Sequence, residues 1–155
     1  MIGLPKQIIN WLLEQDKEKK FEIKEHTTRS LSANNYAWQL MEKIAKALRT
    51  SKEGVYEIML GRYGTFRLDE AGSVIKVVNS NELKSTDKLH LKFMGKKTIN
   101  NEVLNIYGLL KGSSEYDKKQ MSEFIDGIVS EAKEMEIETL TPNEIANLKS
   151  QWGNK

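Results

Sequence analysis

The sequence predicts one α+β domain in which about five helices accompany a small antiparallel sheet. Apolar residues recur at helical spacing near both ends of the chain, and short alternating or β-branched segments occupy the middle. A length of 155 residues with 39% hydrophobic side chains is enough for one core. We therefore expect a single domain over 1–155, with an N-terminal helix and charged link at 1–20 and an acidic helical part at 113–155.

Composition excludes several kinds of protein. The chain has no cysteine, which rules out disulfides, zinc ribbons, iron–sulfur clusters and thiol nucleophiles. Its two histidines, His26 and His90, argue against a multi-histidine metal site. No apolar run reaches the ~18 residues of a membrane span, and the start of the chain lacks the pattern of a signal peptide. We expect an intracellular protein without a membrane partner.

The first elements differ in their periodicity. Apolar residues at 8, 9, 12 and 13 predict a short helix from Lys6 to Glu14, with Pro5 at a tolerated first position. A charged link at 15–20 follows it. Phe21–Glu25 then alternates apolar and charged side chains, which predicts a half-buried strand.

Two helices come next. A stripe at 3.6-residue spacing predicts a helix over 31–49, with Ser30 or Ser32 as its N-cap. The run Thr50-Ser51-Lys52-Glu53 has the form of a capping box. It predicts a second helix through about Leu60, ended by Gly61 and Gly64.

The middle of the chain has strand character. Three segments are predicted as strands: Val74–Val78, which is β-branched, Leu89–Phe93, which alternates, and Glu102–Leu110. Gly72, Gly95 and the polar run 79–81 mark turns, and 94–101 is interpreted as a hairpin tip.

The C-terminal part is helical. Asp117 and Gln120 resemble a capping box before an amphipathic stripe that extends from Met121 to Met135. Thr141-Pro142-Asn143-Glu144 supplies an N-cap, a proline at N1 and a glutamate at N3 for a last helix to about Trp152. Gly153 stops that helix.

The small net charge of +2 conceals an asymmetry. Residues 1–112 carry 19 basic and 13 acidic side chains, a net charge of +6, whereas 113–155 carry 5 and 9, a net charge of −4. Within 76–111 there are seven lysines and three acidic residues. This distribution favours an anionic partner such as nucleic acid. Lysine-rich strands also block edge-to-edge aggregation, so both interpretations stay open.

Motifs for catalysis are scarce. The sequence has no phosphate-binding loop of the P-loop or dinucleotide type. The two histidines are interpreted as ordinary surface or strand-face residues. No spacing of the acidic residues stands out as that of a metal-binding site. We therefore predict no catalytic residue, no metal site and no cofactor, although a carboxylate-based nuclease remains an alternative.

The run from Arg29 to Trp38 joins a basic residue and polar caps to amides and two aromatics at a helix N-terminus. Tyr36 and Trp38 flank the buried stripe, so they either cover the rim of the core or offer a stacking surface beside a phosphate.

That run, Arg29-Ser30-Leu31-x-x-Asn34-x-x-x-Trp38, resembles the signature of the NinB family of phage Orf-like recombination proteins. A second block from Met121, closing on Lys149-Ser150-Gln151-Trp152-Gly153, resembles the C-terminal helices of that family. Segments of the C-terminal third, from 111 onward, are similar to small proteins of prophages in Gram-positive bacteria. The chain departs from the family in its leading helix and in a diverged middle. Some family members are joined to an HNH nuclease unit, and we expect none in this chain.

The resemblance implies a recombination mediator in the cytoplasm of the bacterial host cell. It implies that the chain binds single-stranded DNA in preference to duplex, associates with single-stranded DNA-binding protein and helps to load a recombinase. It also implies a homodimer with a mixed fold around a central channel, and no catalysis.

Six residues are predicted to bind DNA. Arg29, Asn34 and Trp38 follow from the motif, and Lys92, Lys96 and Lys97 follow from charge clustering alone. Two other functions stay open. One is a metal-dependent phage nuclease acting on single-stranded or branched DNA, and the other is a phage factor that binds and inhibits a host protein.

Overall fold

The computed structural model describes residues 3–23, 32–86 and 88–153. These residues form five α-helices and a three-stranded antiparallel sheet, which confirms the predicted α+β class. The chain divides into two units, Met1–Ser30 and Leu31–Lys155. None of the helices within these ranges has the length and apolar character needed to cross a membrane.

The elements are, in chain order, α1 (Pro5–Leu13), α2 (Ala33–Leu48), α3 (Lys52–Tyr63), β1 (Lys76–Asn79), β2 (His90–Ile99), β3 (Glu102–Leu110), a 3-10 turn (Ser113–Glu115), α4 (Lys118–Glu134) and α5 (Pro142–Gln151).

The first unit is built on α1, which confirms the predicted N-terminal helix. Trp11 and Phe21 meet edge to face with ring centroids 5.1 Å apart. The predicted strand is wrong at Phe21–Ile23, which form no strand, and Lys24 and Glu25 lie outside the described residues. A strand needs a partner for its backbone groups, and Phe21 instead covers the indole of Trp11.

Helices α2 and α3 each begin at a serine N-cap. The predicted capping box at Thr50–Glu53 is wrong, because the N-cap of α3 is Ser51 and the residue three places later is Gly54, which has no side chain to complete a box. Ser32 Oγ accepts a hydrogen bond of 3.1 Å from Asn35 N, and Ser51 Oγ accepts one of 3.1 Å from Gly54 N. Of the two candidate caps for α2, Ser32 serves, while Ser30 lies outside the described residues. The predicted end of α3 is three residues early, because a helix tolerates an interior glycine and α3 continues through Gly61.

The last two helices are confirmed with their caps. Asp117 and Gln120 exchange hydrogen bonds of 2.8 and 3.0 Å at the start of α4, and Thr141 and Glu144 form the same box at α5. Helices α2 to α5 enclose the core of the second unit. Its fully buried side chains include Leu40, Met41, Ile44, Leu60, Met121, Phe124, Ile125 and Ile128.

The sheet has the order β1-β3-β2, so β2 lies at an edge. Strand β3 matches its prediction, but β2 continues well beyond Phe93, and most of the predicted hairpin tip at 94–101 is strand. The reversal itself is made by Asn100 and Asn101, both with positive φ. Strand β1 begins only at Lys76, because Val74 pairs instead with Leu68 in an isolated bridge.

A β-bulge in β2 changes which side chains share a face. Phe93 is opposite Tyr107, whereas the next pairing joins Gly95 to Ile106, so Met94 is the extra residue. Beyond the bulge Lys96 pairs with Asn105. Because side chains alternate along a strand, Phe93, Lys96, Asn105 and Tyr107 lie on one face, which we call the groove face.

Several contacts join the sheet to the helices. Leu110 at the end of β3 is buried in the core. His90 at the start of β2 places Nδ1 2.7 Å from Glu57 Oε1 on α3, and the ring of Tyr56 meets His90 edge-on. The base of the sheet is therefore anchored, and the β2–β3 hairpin extends from it.

Candidate nucleic-acid interface

A groove of about 450 Å³ opens on the groove face of the sheet. Strands β2 and β3 form its floor, and the irregular segment between β1 and β2 forms its wall. The lining residues are Glu82, Leu83, Ser85, Leu91, Phe93, Lys96, Asn105 and Tyr107. The lining thus combines aromatic, aliphatic, amide, anionic and cationic side chains.

Hydrogen bonds from the sheet hold the wall of this groove. The hydroxyl of Tyr107 accepts a hydrogen bond of 3.0 Å from the backbone N–H of Leu83. Ser85 Oγ accepts one of 2.9 Å from Leu91 N and donates one of 3.3 Å to Leu91 O. These bonds fix the wall at two points, so the groove is formed before any ligand arrives.

Phe93 supplies an aromatic surface in the groove. Its side chain is 54% exposed, which is unusual for a phenylalanine. The ring meets Tyr107 edge to face, with centroids 5.7 Å apart and planes at 64°. Tyr107 is itself buried. The phenyl ring is therefore braced from beneath while much of its surface is open for stacking.

Exposed lysines lie in the groove and in the chain segment before β2. Lys96 lines it, and Lys84 and Lys88 precede β2. All three are exposed, and none forms an ion pair within the part of the chain that the structure describes. Exposed ammonium groups attract anions such as phosphates.

The three lysines predicted from charge clustering all lie on β2 and are exposed, but on two faces. Lys96 is on the groove face. Lys92 and Lys97 pair with Gly108 and Leu104, which places both on the opposite face. There Lys92 Nζ lies 5.7 Å from the ring centroid of Phe66. Since β2 is an edge strand, cations on both faces flank the same open edge.

The motif residues on α2 have structural partners. Asn34 Oδ1 accepts a hydrogen bond of 2.7 Å from Ser113 Oγ. Trp38 is partly buried against the core, with its ring centroid 4.4 Å from that of Tyr56. Both side chains thus pack within the second unit, away from the groove lining, and Arg29 lies outside the described residues.

No sequence pattern indicates one polar pair, Glu57 and His90. Glu57 Oε1 lies 2.7 Å from His90 Nδ1, while Glu57 Oε2 is buried with no hydrogen-bond partner among the described residues. The two residues are far apart in the chain, so no local pattern links them. Within ranges 3–23, 32–86 and 88–153, no group of three or more His, Asp or Glu side chains is placed to hold a metal ion.

Three comparisons with known proteins gave no match. No protein-family model matches the chain, and neither a curated protein nor a solved structure matches it significantly.

Proposed function

We propose that this protein binds single-stranded DNA as a recombination mediator of the phage type, in the cytoplasm of a bacterial host cell. The observation that carries the proposal is the combination of an exposed aromatic, Phe93, with a lysine, Lys96, in one preformed groove, where Lys96 has no ion-pair partner among the described residues. Lysines bind phosphates without regard to base sequence, and an aromatic ring stacks on any base. Together they suit a binder of modest, salt-sensitive affinity.

This combination favours a single strand over duplex. In a duplex the base faces are stacked on their neighbours, so a side chain on a sheet surface reaches only phosphates and groove edges. A single strand offers both phosphates and base faces. The energy of stacking on Phe93 is therefore available only with single-stranded DNA.

The mediator role is supported by the resemblance to the NinB family on the run Arg29 to Trp38 and on the C-terminal block. Its partners would be single-stranded DNA-binding protein and a recombinase, and its assembly a homodimer. The net charge of −4 on residues 113–155 would keep DNA off that part of the surface. The acidic tail of a single-stranded DNA-binding protein would then contact the basic part at 1–112.

Fluorescence anisotropy tests the proposal. A labelled single strand and a duplex of equal length are titrated with the protein at low and moderate salt. We expect tighter binding of the single strand and weaker binding of both at the higher salt. Absence of binding to any nucleic acid at low salt would contradict the proposal.

A second candidate is a protein-binding phage factor, and one observation favours it. Apolar side chains are exposed across the sheet, among them Val78, Met94, Ile99 and Val103. Exposed apolar groups on neighbouring strands are typical of protein contacts. This candidate gains support if no nucleic acid shifts the anisotropy at low salt.

A further inference from the structure

We propose that the groove on the sheet holds one unstacked base of the bound strand, with the base on the ring of Phe93 and an adjacent phosphate on Lys96. This inference rests on the proposed function, because it specifies where single-stranded DNA sits. It concerns residues that neither the α2 motif nor charge clustering identified, except for Lys96.

The dimensions of the groove suit such a ligand. Its volume of about 450 Å³ lies within the range of ~300–1,000 Å³ that small-molecule sites occupy. A nucleotide unit is of that class, whereas a duplex is far larger than this volume. The wall is tied to the floor through Tyr107 and Ser85, so the opening does not have to be created by the ligand.

The apolar surface in the groove is aromatic and is held in place. Phe93 is more than half exposed, yet its ring is braced edge-on by the buried ring of Tyr107. A ring that is fixed and uncovered loses little conformational freedom when a flat ligand stacks on it. Nucleobases are flat and have a π-face whatever their sequence.

The polar groups of the groove match the rest of a nucleotide. Lys96 supplies a cation for the phosphate, and the amide of Asn105 supplies a donor and an acceptor for a base edge. Neither side chain has a hydrogen-bond or ion-pair partner among the residues that the structure describes. The carboxylate of Glu82 repels a phosphate because both are negatively charged, so the phosphate would lie at Lys96. The same carboxylate can accept hydrogen bonds from the amino groups of a base.

The β-bulge at Met94 creates this juxtaposition. Without it, strict alternation would place Lys97 rather than Lys96 on the face of Phe93. With it, Phe93 and Lys96 both line the groove, opposite Tyr107 and Asn105 on β3. An aromatic and a cation therefore lie two pairing steps apart on one face, as a base and its phosphate require.

The test compares a single-stranded oligonucleotide of about 12 nucleotides with an abasic oligonucleotide of equal length, by anisotropy across a salt series. The variants are Phe93→Ala and Phe93→Trp. Val103→Ala is the matched control, because Val103 has the same 54% exposure on the same hairpin but does not line the groove. Circular dichroism verifies that each variant is folded.

We expect Phe93→Ala to weaken binding of the base-bearing strand about tenfold, with the salt slope unchanged. The abasic strand should bind weakly to wild type and to this variant alike. Phe93→Trp and Val103→Ala should bind as wild type does.

Equal binding of the base-bearing strand by wild type and Phe93→Ala would overturn the inference, and so would tight binding of the abasic strand by wild type. Either result leaves the proposed function intact. If wild type binds no single strand at all, the proposed function itself fails.

Discussion

The hydroxyl of Ser113 donates a hydrogen bond of 2.7 Å to Oδ1 of Asn34 and so links the first turn of α2 to the 3-10 turn after β3. Ser113 is only 1% exposed, and its backbone N–H donates a hydrogen bond of 2.8 Å to the hydroxyl of Tyr56. The motif residue Asn34 thus has a role in holding the fold, independent of DNA.

We predict that Asn34→Ala lowers the free energy of unfolding by about 1 kcal/mol, because a hydrogen bond to a buried group is lost. Urea denaturation measures this change. Asn35→Ala is the control, since Asn35 is exposed and contributes only its backbone N–H to the Ser32 cap. Unchanged stability of Asn34→Ala together with reduced affinity for single-stranded DNA would assign Asn34 to the DNA site instead.

A pair of glycines tests the packing of α3 against α4. A Cβ on Gly127 would collide with the ring of Tyr63, whereas a Cβ on Gly61 meets no neighbour within 4 Å. Gly127→Ala should therefore destabilise the protein by roughly 1–3 kcal/mol, through overpacking. Gly61→Ala should stabilise it by up to about 1 kcal/mol, because alanine is the better helix former. Thermal denaturation of both variants checks the contrast, and equal shifts in Tm would contradict the packing described.

The pH dependence of stability should reflect Glu131. The hydroxyl of Tyr63 and the guanidinium of Arg62 each donate a hydrogen bond of 2.7 Å to Glu131 Oε1. The bond from Tyr63 above all, and then the bond from Arg62, lower the pKa of the Glu131 carboxyl. Because the pKa of this carboxyl is lower in the folded protein than its ordinary value of 4.5, the ionised carboxylate stabilises the fold at pH values above 4.5. This contribution is lost as the pH falls through the pKa of the folded protein.

Glu131→Gln should therefore lower the free energy of unfolding at neutral pH, and the difference from wild type should shrink in acid. Urea denaturation at about pH 7 and about pH 3 measures it. Glu134→Gln, at an exposed position on the same helix, is the control. If the difference in the free energy of unfolding between wild type and Glu131→Gln is equal at both pH values, the ionised carboxylate does not stabilise the fold.

The helices were predictable because their signals are local. Asp117 with Gln120 and Thr141 with Glu144 form the boxes that their spacing indicates. The strand predicted from Phe21 failed because an alternating pattern does not reveal whether a partner strand exists, and Phe21 packs on Trp11 instead.

The groove could not be predicted from the sequence, because it depends on contacts between residues far apart in the chain. Its wall at 82–85 has no periodicity, and its shape depends on the bond from Leu83 to the hydroxyl of Tyr107, 24 residues away. The bulge at Met94 also shifts the alternation of side chains along β2, which would otherwise place Phe93 and Lys97 on the same face. Charge clustering identified the lysines of β2, but only the folded sheet shows which of them accompanies Phe93.

Binding of single-stranded DNA at the basic edge of the sheet should show in the salt dependence of the affinity. Lys96→Ala with Lys97→Ala is compared with Lys118→Ala with Lys119→Ala, an exposed lysine pair at the start of α4 that changes the net charge equally. We predict that the first variant binds single-stranded DNA more weakly and that its slope of log K against log salt is flatter by up to about 1.4, two phosphate contacts for a single strand. The second variant should keep the wild-type slope. Identical slopes for wild type and for the variant with both Lys96 and Lys97 replaced would show that the basic edge of the sheet does not bind the strand.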